Sequence, residues 1–157
     1  MPDTSQRLRA AVESWGARLA TLDEAAAARS ADGGWSPKEV VGHLIDSASV
    51  NLERFLRARD TEHLDFPGYP QDAWVRAGGY AAAPWAELLA LWAGLNAQVA
   101  RVMEGTPAAV RERPRETHAL DRIAWRAVPR GSPATLEYLM ADYVDHLEHH
   151  LTGLRLV

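Results

Sequence analysis

Apolar residues recur at three- and four-residue intervals through four stretches of the chain, the spacing of one face of an α-helix. The first stretch predicts a helix from about Thr4 to about Arg29, with Leu8, Val12, Trp15, Leu19 and Leu22 on one stripe, stopped by Asp32-Gly33-Gly34. The second opens at "WSPKEV", with Ser36 as N-cap, Pro37 at the first helical position and Glu39 completing a capping box, and runs to about Arg59. The third opens at Pro84 and carries Trp85, Leu88, Leu89, Trp92, Leu95, Val99 and Val102 to about Glu104. The fourth is expected to take Ser132 as cap and Pro133 at its first position, and to end near Gly153. β-Branched residues are scattered and rarely alternate with polar ones, so no strand is predicted.

The links differ in length. "DGG" is part of a short one, while "DFPGYPQDAW" and "AGGYAAAPW" fill a long Pro- and Gly-rich one with a helical turn expected around Asp72 to Arg76. A second long connection, Gly105 to Gly131, carries five charged residues between Arg111 and Glu116. A short link joins antiparallel neighbours, and a long one can cross over between parallel helices. The pattern predicts an all-α four-helix bundle with two long connections, residues 1–157 forming one domain. Connections this long usually carry function.

Composition narrows the chemistry. The 157 residues are 47% hydrophobic and 24% charged with a formal net charge of −4, ordinary for a globular protein. There is one lysine and no basic cluster, so nucleic acid is not an expected partner. "MPDTSQRLRA" has no apolar run of a signal peptide and no stretch suits a membrane span, so a cytoplasmic protein without a membrane partner is expected. The absence of cysteine excludes a protein thiolate and any cysteine-ligated metal, leaving histidine and carboxylates as ligands. Six tryptophans lie mostly at core spacing and read as packing residues.

Three histidines fall within five residues in "DYVDHLEHHL", Asp142 to Leu151. At about 100° per residue, His150 lies about 20° from Tyr143 and inside the apolar face of Leu136, Leu139, Leu147 and Leu154. His146 sits at about 60°, on its edge, while His149 is turned to about 120°, beside Asp142 and toward water. Two histidines four apart on one face make half a metal site. A third ligand has candidates in His43, His63, His118 and several carboxylates. His43 lies off the stripe of Val41, Leu44, Ala48, Leu52 and Phe55 and shares a face with Val40, Ser47, Val50 and Arg54, which periodicity alone reads equally well as solvated.

"GGWSPKEVVGHLIDSASVNLERF", "PGYPQDAW" and the terminal "HLEHHLTGL" together resemble the DinB superfamily, in particular its YfiT-like branch, along nearly the whole chain. The resemblance implies a bundle in up-down-down-up order, often dimeric, that binds one zinc or nickel ion through His43, His146 and His150. It implies a small-molecule substrate and either a thiol S-transferase using a low-molecular-weight thiol such as bacillithiol, or a metal-dependent hydrolase. Asp46 is the candidate base, Asp142 a partner for the His146 ring, Arg54 a holder of an anionic group, and Tyr69 and Trp74 a border of the pocket. The bland readings of these residues are surface carboxylates, an exposed helix arginine and an aromatic that pins its loop. No glutamate stands beside a ligand as in HExxH, so the sequence offers no evident general base. A reading from another class is a non-catalytic metal-binding protein of the stress response.

Overall fold

The computed structural model describes residues 3–156. Four long helices form the body: α1 (Thr4–Leu19), α3 (Pro37–Ala58), α5 (Trp85–Gly105) and α8 (Leu136–Thr152). Short helices α2 (Glu24–Ala27), α4 (Gln71–Gly78), α6 (Ala108–Arg111) and α7 (Leu120–Ile123), with a 3-10 turn at Tyr80–Ala82, lie in the connections.

Contacts at the helix ends fix the order. The carbonyl of Leu19, at the end of α1, accepts the indole N–H of Trp85 at the start of α5 (3.0 Å). Lys38, in the first turn of α3, donates to the Ala83 carbonyl just before α5 (2.7 Å). Arg9, early in α1, grips Glu104 at the end of α5 (2.8 and 3.1 Å), and Thr4 donates to Glu137 in the first turn of α8 (2.5 Å). So α3 and α5 both start where α1 ends, and α8 starts where α1 starts: up, down, down, up. The connection from Arg59 to Pro84 returns the chain along the bundle, as parallel neighbours require.

Two boundaries depart from the sequence reading. The first predicted helix is two: α1 ends at Leu19, and the chain re-enters helix at Asp23, whose carboxylate caps the Ala26 N–H (2.8 Å). Glu24 then accepts the Trp85 backbone N–H (2.7 Å) and pairs with Lys38 (2.6 Å), so α2 closes the end of the bundle instead of extending α1. The last helix begins at Leu136 with Thr135 as its cap, not at Ser132 and Pro133. Ala134 is held extended by an antiparallel bridge to Arg115 (2.8 and 3.0 Å), so a helix cannot start before it. The Ser36–Glu39 capping box forms as read.

Among the described residues, Leu8, Leu19, Val41, Leu44, Phe55, Trp92, Leu139, Met140 and Leu147 are buried at the bundle centre. A buried polar pair crosses it: the Tyr143 hydroxyl donates to Asn96 Oδ1 (2.6 Å), while the Asn96 amide donates to the Trp92 carbonyl (2.9 Å). Both ends of that pair are satisfied, as a buried network must be. Most of the tryptophans pack as read: Trp85 and Trp92 are buried and Trp15 and Trp35 pack against the core, whereas Trp74 and Trp125 are about two-fifths exposed. No helix of the described residues is long and apolar enough to cross a membrane.

Candidate metal centre

Because α3 starts at the end where α8 finishes, His43 on the second turn of α3 meets His146 and His150 on the last two turns of α8. His43 is fully buried and the other two are half-buried. His43 Nε2 lies 3.4 Å from His146 Nε2, which lies 3.0 Å from His150 Nε2. One nitrogen of each ring falls within 4.8 Å of the other two. A zinc bound at about 2.1 Å by two tetrahedral nitrogens separates them by about 3.4 Å, so the three rings stand close to ligating geometry.

Burial pushes His43, His146 and His150 down to about 4, and the neighbouring imidazoles add to the shift. At neutral pH the three rings are uncharged, the form that binds a metal. Three neutral nitrogens pointing at one spot cannot all be satisfied by one another, since hydrogen bonds need donors and acceptors in pairs. A cation satisfies all three. The Nδ1 of His43 is buried without a hydrogen-bond partner, and the Trp35 ring lies 5.1 Å from the His43 ring.

His149 is exposed and outside the three-histidine cluster, its ring 4.8 Å from that of Trp125 at the edge of the neighbouring cleft. His63 is exposed in the loop after α3. His118 is buried in the second connection, its Nε2 against the Ser132 carbonyl (2.7 Å) and its Nδ1 accepting the Leu120 N–H (3.1 Å). Neither belongs to the cluster.

A cleft of about 340 Å³ opens beside His146 and His150. One wall is the face of α3 that carries Ser47, Asn51 and Arg54, all buried; this is the face that periodicity left open, and it looks into the cleft, not into bulk water. Tyr69 lines the cleft from the first long connection and Trp125 from the second. Trp74 does not line it: its ring rests 4.7 Å from Tyr69 and braces that residue from outside.

Two carboxylates stand differently from their sequence assignments. Asp142 does not reach the His146 ring. Its two oxygens accept the backbone N–H groups of Trp125 and Arg126 (2.8 Å each), so it pins the second connection onto α8. Asp46 accepts the Tyr80 hydroxyl (2.6 Å) and is not part of the cleft wall. Burial raises it above the usual carboxylate range, with the Tyr80 hydrogen bond opposing. Arg54 is not an exposed surface arginine; it donates to the Pro67 carbonyl (2.8 Å) and weakly to Asn51 Oδ1 (3.4 Å).

Sequence reasoning missed Trp35, Trp125 and Asn51. Asn51 had a signal, one turn beyond Ser47 on the same face; Trp125 sits in an irregular connection and had none.

The fold and cluster define a helical bundle with a three-histidine centre on an open cleft. The sequence profile of the DinB superfamily matches residues 3–152, and the chain belongs to that superfamily. It is similar in structure to YfiT from Bacillus subtilis, described as a probable metal-dependent hydrolase with an unusual four-helix bundle topology (22% identity, TM-score 0.74, covering 98% of this chain and 86% of that one). It is also similar to a mycothiol-dependent maleylpyruvate isomerase (15% identity, TM-score 0.72, covering all of this chain and 62% of that one). This chain thus spans less than two thirds of the isomerase. The comparison with curated proteins finds no match.

Proposed function

We propose that His43, His146 and His150 hold one divalent ion, zinc or nickel, and that the protein is a metal-dependent S-transferase joining a low-molecular-weight thiol to an electrophile. The observation that carries this reading is the convergence of three neutral ring nitrogens at the wall of a cleft. Three imidazoles leave positions open on the ion, which distinguishes a reactive centre from a closed structural one. An ion held there favours the ionised form of a thiol at neutral pH.

The chain's own residues supply burial and shape. Trp35 covers the His43 ring, Trp125 walls the exposed side, and Ser47 and Asn51 offer polar contacts along the cleft. The absence of cysteine accords with sulfur arriving on a cofactor. A mycothiol-dependent enzyme on the same fold supports a thiol. The hydrolase reading draws support from YfiT, yet hydrolysis calls for a base. Asp142 is committed to two backbone N–H groups, and Asp46, one oxygen on the Tyr80 hydroxyl and the other buried without a partner, stands outside the cleft wall. That favours transfer.

The deciding experiment is elemental analysis of the untagged protein. About one zinc or nickel per chain is expected, lost in His43→Ala and His146→Ala and kept in His149→Ala. Metal retained in the first two variants overturns the site.

A further inference from the structure

Arg54 is 6% exposed and lines the same cleft as His146 and His150. A guanidinium has five N–H donors. Only Pro67 and Asn51 accept from this one, and its Nε has no partner. No carboxylate compensates the charge among the described residues: Glu53, its neighbour, pairs with Arg57. Asp142, on the facing wall, spends both oxygens on backbone N–H groups, and Arg122 at the rim is itself paired with Asp65 and Asp121, so neither of those carboxylates is free for Arg54. Burial pulls Arg54 below its ordinary value. A cation withdrawn from water without a counter-charge is costly to the fold, and it is retained where something anionic arrives to pair with it.

We infer that Arg54 anchors a carboxylate of the small molecule that occupies the cleft, with the molecule's reactive atom at the histidine end. This rests on the metal-site reading above. Arg54 follows His43 by eleven residues, about three helical turns along α3. The class is therefore a thiol whose acid group lies several bonds from its sulfur, not a mercaptoacetate-sized one.

The test uses cobalt-loaded protein, whose thiolate-to-metal absorption reports sulfur binding directly. Mercaptohexanoate is expected to bind about tenfold tighter than mercaptohexanol, whose length is the same and whose tail is neutral. Arg54→Gln is expected to abolish that preference and keep the alcohol's affinity, with circular dichroism showing a folded variant. Equal affinities in the native protein overturn the anchor while leaving the metal–thiol reading standing. If no thiolate absorption appears, the thiol reading fails, and the anchor is then decided in metal-free protein. The Arg54 Nε–H resonance, identified by its loss in Arg54→Gln, must shift with hexanoate and not with hexanol; an unmoved resonance overturns the inference.

Discussion

Asp142 stands one turn before His146, where a metal-site carboxylate often supports a ligand ring, yet its oxygens face the other way. The substitution Asp142→Asn separates the two roles. The side chain is 6% exposed and accepts two backbone N–H groups at 2.8 Å. A hydrogen bond to a charged group is worth about 1.5–3 kcal/mol. Asparagine keeps one acceptor oxygen and turns an N–H toward the second donor, so one bond is lost and one buried N–H is orphaned. Against this, the variant no longer buries a charge. Burial already outweighs the hydrogen bonds enough to raise the Asp142 carboxyl above the ordinary range. The net expectation is a loss of about 1–3 kcal/mol, or a Tm lower by about 3–8 °C for a chain of this size.

Metal affinity, measured by competition against a chelator, is expected to stay within about threefold, since no ligand ring leans on this carboxylate. A carboxylate that oriented His146 would instead cost about 10–100-fold in affinity. The reasoning is refuted if Asp142→Asn keeps its urea midpoint and loses metal tenfold or more.

Two further outcomes follow from packing and protonation. A Cβ at Gly42 would lie 2.1 Å from Tyr80 Cδ2 and 2.8 Å from Tyr80 Cβ, which ring rotation cannot clear, so Gly42→Ala is expected to lose about 2–4 kcal/mol in urea despite its better helix propensity. Gly94→Ala, with nothing within 4 Å in α5, is expected to gain about 0.5–1 kcal/mol, and a loss of similar size at both positions would sink the packing argument. For pH, His43 sits at about 4 in the folded protein against 6.5 when unfolded, so its contribution is complete above 6.5 and is lost as pH falls toward 4. Metal-free protein is expected to lose about 2 kcal/mol at pH 5 through this residue alone, and His43→Asn to flatten that part of the denaturation profile; an unchanged slope would contradict the burial account.

The parts of the fold legible in the sequence were those set by neighbours along the chain. Ser36, Pro37 and Glu39 close a capping box within four residues, and the α8 angles separate His146 and His150 from His149 by helical rotation alone. The departures from the sequence pattern are decided at long range: Glu24 of α2 meeting Trp85 and Lys38, Arg115 holding Ala134 extended, Asp142 taking the N–H groups of a distant loop. Periodicity leaves His43 open and the family resemblance selects it, because an apolar stripe marks one buried face and says nothing of a second. In α3 both faces are covered: Val41, Leu44, Ala48 and Phe55 lie in the core, His43 lies against Trp35, His146 and His150, and Ser47, Asn51 and Arg54 line the cleft. A solvated face on this chain looks different: Arg7 and Arg9 of α1 pair across the surface with Asp145 and Glu148 of α8 and with Glu104 of α5. The second stripe of α3 recurs at helical spacing with one charge among neutral donors and acceptors. A polar stripe so periodic and so poor in paired charge marks a helix that lines a site, and it makes the lone arginine at its end the residue whose partner must come from outside the chain.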